Sequence, residues 1–389
     1  MFPQNLLQAA AIAAVASSAL ASPVQMVPRD DDPIQVVPRD PVENLPRGLP
    51  LVTDEVLLMD SPAFRDGETG WTASVRMFTY VRQIKSTLAS AAIKTAIEAF
   101  GVEVGNKAEN LFERSRLFLA IPRKGIEVDL EIQGCDSTRV GSTAASGLME
   151  RNAGIGSCRG GVEGGRKMTA FAPGFFKRRG FEGTLFPSLP DGWAIVSDVD
   201  DTIKVSNVLD KKKQIQSLFL DEHEAVEGMP QLYDMLDAKL NPAWFYLTGS
   251  PYQLYPTLRQ FIIDGYPTGP LLMKNLTFTN IKDTIEYISK EETLGGYKVE
   301  QLEKLQGYYP EKKFITIGDS TQYDPEAYAE FARRYPDVVQ CIWIRKVDGA
   351  DNSHQRFEEA FKGVPEEKWL VFEDAWDVMP WDVADGKCK

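Results

Sequence analysis

Apolar runs alternate with amphipathic helical patterns along the second half of the chain. The apolar runs that predict strands are 193–196, 244–247, 314–317 and 338–344. The helical patterns between them are 228–240, 253–264, 299–305 and 325–334. Strands and helices in alternation indicate a parallel sheet with helices on both faces, so we predict an α/β fold for 191–389. Ligands bind such sheets at the carboxyl ends of the strands, and the chemistry is expected there.

The stretch 51–190 has a different pattern. Short runs of alternating apolar and polar residues predict β-strands over 74–80, 116–121 and 126–132. We therefore predict a smaller, β-rich accessory domain that precedes the α/β domain.

Residues 84–100 have apolar positions at helical spacing, with Lys85 and Lys94 beside them. Such a helix either lies on a membrane surface or packs on the neighbouring sheet. We favour packing, because helices that cover a core show the same period.

The amino-terminal residues are typical of a secreted protein. An apolar stretch over 6–20 followed by Ala-Leu-Ala predicts a signal peptide over 1–21, and the stretch is too short for a membrane anchor. Residues 22–50 are rich in proline and contain an imperfect repeat, so we expect an extended linker or pro-segment. Secretion, or residence in the secretory pathway, is the expected localisation.

Glycine is abundant over 141–165, which predicts loops. Cys135 and Cys158 flank most of this stretch, and an oxidising compartment allows a disulfide between them. Cys341 and Cys388 are the other candidates, and spacing alone does not set the pairing.

Composition excludes several functional classes. The formal net charge of −13 argues against nucleic acid as a partner and against long-range attraction to anionic membranes. With only two histidines, the chain lacks the residues for most Ser-His-Asp hydrolases and for zinc sites with several histidines. The four cysteines include no CxxC pair, which argues against a zinc finger.

An acidic cluster follows the first predicted strand of the α/β domain. Asp198, Asp200 and Asp201 occur within the segment Asp-Val-Asp-Asp-Thr. Carboxylates this close together at the end of a buried strand repel one another unless a cation neutralises them, which favours a Mg²⁺ site. The alternative is an acidic turn or a helix cap.

The later strand ends strengthen the prediction of a phosphate site. Thr248 and Gly249 follow the second run, offering a hydroxyl and a residue that lets the backbone approach a ligand. Asp319 and Asp324 follow the third run and add two carboxylates. Lys298 precedes the helix before that run and can neutralise a phosphoryl oxygen.

This series, DxDxT, then a strand threonine, then lysine, then GDSxxxD, resembles the motifs of the haloacid dehalogenase superfamily of phosphatases. The segments SDVDDTIK, YLTGSPYQLYPTL, GYK and GDSTQYDPEAYAEFARRYP resemble more closely the catalytic domain of the actin-patch phosphatidate phosphatases of fungi. The resemblance is strong over 190–347 and weaker over 70–190. It implies a Rossmann-like parallel sheet of the haloacid dehalogenase type.

The resemblance also implies residue roles. Asp198 would be the nucleophile and Asp200 the general acid and base. Asp198, the Asp200 carbonyl and Asp319 would hold Mg²⁺, with Asp324 as an added ligand. In the same comparison, the phosphoryl oxygens would be bound by the threonine and glycine after the second run and by the lysine before the third.

Some residues have competing interpretations. Asp201 is either a metal ligand or, as we favour, a carboxylate that orders the loop. Lys274 and Lys282 compete for the phosphate-binding role, and Ser250 could share the work of the strand threonine. We interpret His223 as structural.

The predicted function is hydrolysis of phosphatidate to diacylglycerol, with peripheral contact to a membrane. The alternatives are a secreted phosphatase for soluble phosphomonoesters and a non-catalytic secreted protein that binds a lipid or a surface. Asn275-Leu276-Thr277 is additionally an acceptor sequon for N-glycosylation in a secreted protein.

Overall fold

The structure is a computed structural model. It describes residues 54–67, 70–81, 87–159, 164–172, 180–275, 294–378 and 383–389. The expected signal peptide (1–21), the Pro-rich segment (22–50) and Lys282 lie outside the described residues.

Two β-sheets organise the described residues, and the first is mainly antiparallel. Its strands are β1 (Asp54–Leu58), β2 (Ser61–Asp66), β3 (Gly70–Val81), β4 (Ile121–Pro122), β5 (Val128–Ile132), β6 (Thr138–Val140), β7 (Leu148–Gly156), β8 (Arg166–Phe171) and β9 (Gly180–Pro187). Their order is β1-β3-β2-β9-β8-β5-β6, with β4 and β7 also paired to β3. The predicted strands over 74–80 and 126–132 lie within β3 and largely within β5.

The prediction of loops over 141–165 is wrong, because β7 occupies the middle of this stretch. β7 pairs with β3 over most of its length, and Met149, Ala153 and Ile155 point into the core. Glycine weakens the local preference for a strand, but the ladder to β3 and the alternating apolar positions outweigh it.

The predicted strand over 116–121 is also wrong. The chain forms a helix over Ala108–Ser115 and then turns, and only Ile121 of the predicted run belongs to a strand. Leu117 and Phe118 are both buried although they are adjacent in the chain. Adjacent side chains of a strand point to opposite faces of the sheet, whereas these two side chains are both buried from a turn. The apolar run therefore does not behave as a strand.

The second sheet is parallel throughout its described pairings. Its strands are β10 (Trp193–Asp198), β11 (Ala243–Pro251), β12 (Leu271–Lys274), β13 (Lys313–Asp319), β14 (Val339–Arg345) and β15 (Trp369–Phe372). Their order is β12-β11-β10-β13-β14-β15, which confirms the predicted parallel α/β arrangement and adds two short edge strands, β12 and β15. β10 lies between β11 and β13, so its carboxyl end lies at the centre of the sheet.

The described helices connect and cover these strands. They are α1 (Thr87–Glu98), α2 (Ala108–Ser115), α3 (Lys211–Phe219), α4 (Met229–Leu240), α5 (Tyr255–Gly265), α6 (Leu294–Tyr308), α7 (Asp324–Arg334) and α8 (His354–Ala360). None of the helices within the described ranges is long and apolar enough to cross a membrane.

Helix α1 packs on the core, as we favoured. Ile93 and Ile97 are buried in the same apolar cluster as Ile195 of β10 and Ile315 of β13. Lys94 is on the exposed side and pairs with Glu98. The apolar face of this helix is therefore covered by protein.

Specific polar contacts join the two sheets. The Asp60 carboxylate, just after β1, accepts hydrogen bonds from Arg259 Nε of α5 (2.6 Å) and from the Thr184 backbone of β9 (2.6 Å). The Tyr309 hydroxyl donates to the Ala63 carbonyl of β2 (3.0 Å). The β-rich part is thus fixed against the helices that cover the parallel sheet.

Both cysteine pairs are bonded in the structure. Cys135 is joined to Cys158, and Cys341 of β14 is joined to Cys388 near the carboxyl terminus. The second bond ties the terminal segment to β14, the strand next to the edge strand β15 of the parallel sheet.

Candidate active site

The carboxyl end of β10 places Asp198 at the centre of the parallel sheet. Ala194, Ile195 and Val196 of β10 are fully buried and apolar, and Asp198 itself is only 1% exposed. Beyond the strand the chain turns sharply, and Asp201 has a positive φ of 57°. The Asp201 carboxylate accepts hydrogen bonds from the backbone N–H groups of Ser206, Asn207 and Val208 (2.7–2.8 Å). Asp201 therefore orders this loop, which is the role we favoured for it.

Three of the predicted carboxylates form one cluster. Asp198, Asp319 and Asp324 are buried, and one oxygen from each lies within 4.8 Å of those from the other two. Lys298, from the first turns of α6, reaches into the cluster with no solvent exposure. Its Nζ donates to Asp198 Oδ1 (2.7 Å) and also to Asp324.

Two threonine hydroxyls fix the orientation of these carboxylates. Thr202 Oγ1 lies 3.0 Å from Asp198 Oδ2 and 3.2 Å from Asp319 Oδ2. Thr321 donates to Asp319 Oδ1 from its backbone N–H (2.5 Å) and from its hydroxyl. Thr202 belongs to the DxDxT motif, but the sequence predicts no role for it, and Thr321 is not marked by any predicted role.

Gly318 makes room for Asp324 beside the end of β13. A Cβ atom at this position would lie 2.4 Å from Asp324 Oδ2 and 2.7 Å from the ring of Tyr328. Side chains larger than hydrogen are therefore excluded here, and the glycine lets α7 begin directly against the strand end.

Burial raises the pKa of two of the clustered carboxyl groups, Asp198 and Asp319. The pKa of Asp198 is raised well above its usual value by burial and by the neighbouring Asp324 and Asp319, although Lys298 opposes the shift. Burial, followed by the charge of Asp324, raises the pKa of Asp319 to about 7. Burial acts to lower the pKa of Lys298, but the carboxylates around it outweigh that effect and raise it.

These residues fit a divalent cation. The described cluster contains three buried carboxylates and a single lysine, so it has an excess of negative charge, which helps to raise the pKa values of Asp198 and Asp319. Oxygen ligands of this kind are preferred by Mg²⁺. Asp198, Asp319 and Asp324 are the side chains that would hold it.

Asp200 lies in a different environment from Asp198, although only one residue separates them. It is partly exposed, and its Oδ2 accepts hydrogen bonds from Thr248 Oγ1 (2.8 Å) and Ser250 Oγ (3.3 Å). Its Oδ1 accepts one from Ser206 Oγ (2.6 Å). Burial opposes ionisation of this carboxyl, yet the charge of nearby Lys204 and the hydroxyl donors lower its pKa.

The structure therefore brings Thr248 to Asp200 and not to the carboxylate cluster. Gly249 lies where the β11–β12 ladder is irregular, between Thr248 and Pro251. Ser250 contributes a second hydroxyl to the same carboxylate, in line with the shared role that we considered.

Lys274, the competing lysine within the described residues, belongs to a different element from Lys298. It ends β12 opposite Pro251, and its Nζ is 5.8 Å from the centre of the Tyr297 ring. Burial lowers the pKa of Lys274 to about 8. Lys298 is the lysine that contacts Asp198, which favours it for the phosphate-binding role.

Asn275 follows Lys274 and connects the parallel sheet to the β-rich part. Its Nδ2 donates to Glu150 Oε2 (3.1 Å), and its Oδ1 accepts a hydrogen bond from Arg76. Leu276 and Thr277, which complete the sequon, lie outside the described residues. Glycosylation of Asn275 would use the nitrogen that now binds Glu150.

His223 has contacts typical of a structural residue. Its Nε2 lies 2.8 Å from Thr257 Oγ1, and its ring packs edge-on against Phe261. Burial, followed by the charges of Lys204 and Arg114, lowers the pKa of His223 to about 3.

The low pKa of His223 predicts a loss of stability in mild acid. In the unfolded chain a histidine takes up a proton near pH 6.5, whereas the folded protein keeps His223 neutral, so stability falls as the pH drops below 6.5. Between pH 7.5 and 5.5 the contribution is about 1.4 kcal/mol. We expect urea unfolding of His223→Gln to lack this part of the pH dependence. Equal pH slopes for the variant and the wild type would show that folding does not lower the pKa of His223.

Comparisons with known proteins concern the part of the chain that contains this site. Residues 193–346 match the family described as "Phosphatidate phosphatase APP1, catalytic domain". Phosphatidate phosphatase APP1 of Saccharomyces cerevisiae is 31% identical over 159 residues, which are 40% of this chain and 26% of the yeast protein. An uncharacterised protein of Schizosaccharomyces pombe is 26% identical over 161 residues, with the same coverage of each chain.

The chain thus spans about a quarter of the length of these curated relatives. The matched segment begins at the first residue of β10 and ends just after β14. It includes every side chain of the carboxylate cluster, together with Lys298, Asp200 and Thr248. The similarities indicate a catalytic domain of the phosphatase type in this part of the chain.

Proposed function

We propose that this protein is a Mg²⁺-dependent phosphatase of the haloacid dehalogenase type that hydrolyses phosphatidate to diacylglycerol and phosphate. The observation that carries the proposal is the separation of two neighbouring carboxylates at one strand end. Asp198 is buried with Lys298 and two other carboxylates, whereas Asp200 is partly exposed and held by hydroxyl groups. A cation bound at the cluster would favour the ionised form of Asp198 that a nucleophile requires, and Asp200 is left outside the cluster for proton transfer. The similarity to phosphatidate phosphatase APP1 supports the choice of substrate.

In the first step, a carboxylate oxygen of Asp198 attacks phosphorus and the bond from phosphorus to the lipid oxygen breaks. Asp200 must take up a proton before this step because its pKa is lowered, and it transfers that proton to the departing alkoxide, which leaves as the diacylglycerol hydroxyl. An aspartyl-phosphate forms on Asp198.

In the second step, Asp200 takes a proton from water, and the water oxygen attacks phosphorus. The bond from phosphorus to Asp198 breaks, which releases inorganic phosphate and regenerates the carboxylate. Lys298 neutralises negative charge on the phosphoryl group in both steps, and Thr248 and the backbone at Gly249 hold its oxygens. When bound, Mg²⁺ would neutralise the charge of the phosphoryl oxygens and the clustered carboxylates.

Secretion, or residence in the secretory pathway, is part of the proposal. The two disulfides of the described structure support it, because such bonds persist in oxidising compartments. Peripheral contact with a membrane is also proposed, since phosphatidate resides in bilayers.

The function is tested by phosphate release from purified protein. Phosphatidate in mixed micelles and a panel of soluble phosphomonoesters are each supplied with Mg²⁺ or with EDTA. We expect phosphate to be released from phosphatidate with Mg²⁺ and not with EDTA. Phosphate release only from soluble esters would show that phosphatidate is not the substrate, while the proposed mechanism would stand. No phosphate release from any ester would favour the non-catalytic alternative.

Binding of Mg²⁺ is tested independently of turnover. Because the ion would bind the folded cluster and not the unfolded chain, Mg²⁺ should raise the melting temperature of the wild type, by the equivalent of about 2.7 kcal/mol at a hundredfold excess over its Kd. We expect this shift to disappear in Asp319→Asn and to persist in Asp264→Asn, a change at an exposed residue of α5. A full shift in Asp319→Asn would rule out the cluster as the Mg²⁺ site.

A further inference from the structure

A second lysine is buried near the site, and the proposed chemistry does not yet use it. Lys204 has no solvent exposure, and its Nζ donates to Ser206 Oγ and Ser217 Oγ, each at 2.8 Å. It lies in an apolar run, between Ile203 and Val205, which is the only sign of its burial in the sequence. Lysine is rarely buried to this extent unless its charge is compensated.

The contacts of Lys204 define a directed chain of hydrogen bonds. An ammonium group only donates, so Ser206 Oγ accepts from Lys204 and its single hydrogen is free to point elsewhere. That hydrogen is directed to Asp200 Oδ1, 2.6 Å away. On the other branch, Ser217 Oγ of α3 donates to the Val205 carbonyl (2.9 Å). Lys204 therefore determines the direction of both hydroxyl groups.

The backbone around Lys204 is fixed as firmly as its side chain. Its N–H donates to the Val199 carbonyl (3.0 Å), and its carbonyl accepts from the Asp201 N–H (2.8 Å). Asp201 in turn binds the backbone of Ser206, so the hydroxyl between Lys204 and Asp200 belongs to an ordered loop. Burial lowers the pKa of Lys204, and the negative charges of Asp200 and Asp201 oppose this effect only in part.

We propose that Lys204 is a positioning residue: through Ser206 it holds the Asp200 carboxylate in the orientation from which Asp200 exchanges its proton with the leaving group and with water. The inference rests on the proposed function and extends it. The two buried lysines then have different roles. Lys298 contacts the nucleophile directly, whereas Lys204 acts through the Ser206 hydroxyl on Asp200, the general acid and base.

Kinetics on two kinds of ester test this role. Expulsion of an alkoxide needs a proton, whereas p-nitrophenolate leaves without one, so a defect in Asp200 should depend on the leaving group. For Lys204→Met and Ser206→Ala we expect kcat/KM to fall roughly 10- to 100-fold with phosphatidate, and less than about threefold with p-nitrophenyl phosphate. With the aryl ester, the slowed second step should give a burst of p-nitrophenol.

Lys312→Met is the matched control. Lys312 is also a buried lysine, only 4% exposed, and its Nζ donates to the Asp191 carbonyl (2.5 Å) before β10. We expect this variant to lose stability without any dependence of kcat/KM on the leaving group. In an Asp200→Asn background, Lys204→Met should cause no further loss, because the two residues act as a unit. Equal losses on both esters, or further loss in that background, would overturn the inference.

A crystal structure of Ser206→Ala tests the positioning without turnover and also serves if Lys204→Met does not fold. We expect the Asp200 carboxylate to rotate away from Thr248 once the hydroxyl of residue 206 is gone. An unmoved Asp200 would overturn the inference. Because this readout needs no substrate, it remains decisive if the wild type releases no phosphate, a result that would refute the proposed function instead.

Discussion

Asp198→Asn is expected to abolish phosphate release from every ester that the wild type hydrolyses. An amide does not attack phosphorus, and the neighbouring Asp200 is held by hydroxyl groups away from the carboxylate cluster, so it does not substitute. Removal of an enzyme nucleophile typically costs roughly 10⁴-fold or more in kcat. The measurement is single-turnover phosphate release, with trapping of the phosphorylated protein by acid quench. We expect no trapped phosphate in the variant.

The stability of Asp198→Asn separates lost chemistry from lost folding. Burial raises the pKa of Asp198 well above its unfolded value, so this group contributes stability only at low pH, and the contribution is lost as the pH rises. At neutral pH, burying this ionisable group therefore reduces the stability of the folded protein. A neutral amide removes that loss, while Lys298 keeps Asp324 as a partner. In EDTA at pH 7.5, the melting temperature of Asp198→Asn should equal or exceed that of the wild type. Turnover within tenfold of the wild type, with Asp264→Asn as the control, would refute the nucleophile assignment.

The strand-end rule accounts for what the sequence could predict of the site. Asp198, Thr248 and Asp319 each follow a buried apolar run, and parallel strands bring such ends to one edge of the sheet. Alternating strands and helices predicted the parallel sheet but not its strand order, and they did not predict the edge strands β12 and β15. Each of these is only four residues long, too short for periodicity to distinguish it from a loop.

The parts that the sequence did not predict depend on contacts between distant or irregular segments. Lys204 looks like a surface residue in the sequence, and its burial arises because Ser217 of α3 and the loop at Ser206 close over it. Likewise, β7 is a strand because β3 offers it a ladder, although its glycine content favours loops. Local propensity is weak where tertiary pairing supplies the hydrogen bonds.

Lys298→Met is the second change for which we expect a large effect, and here stability changes as well as activity. The substitution leaves Asp198, Asp319 and Asp324 buried without their lysine. Breaking a buried ion pair by removing one partner typically costs about 3–5 kcal/mol. We expect a loss of this size in urea unfolding at pH 7.5 in EDTA, together with a fall in kcat of about 10²- to 10³-fold, the effect typical of losing one transition-state contact.

The pH and metal dependence of this loss identify its cause. Without Lys298 the pKa values of Asp198 and Asp319 rise further, so these two groups are accommodated as neutral acids at low pH, and stability falls as the pH increases. The deficit should therefore be smaller at pH 5 than at pH 7.5. Mg²⁺ should also reduce it, because a divalent cation replaces the missing charge.

Lys312→Met distinguishes this mechanism from the general cost of deleting a buried lysine. Lys312 donates to a backbone carbonyl, and burial lowers its pKa to about 8. It stays charged in both the folded and the unfolded protein below that pH, so its contribution to stability is nearly constant between pH 5 and 7.5. The loss in the free energy of unfolding caused by Lys312→Met should therefore be the same at pH 5 and pH 7.5 and should not change with Mg²⁺. If the loss in the free energy of unfolding caused by Lys298→Met is also independent of pH and Mg²⁺, the carboxylates are neutral in the wild type. The cluster would then lack the excess negative charge that a Mg²⁺ site requires.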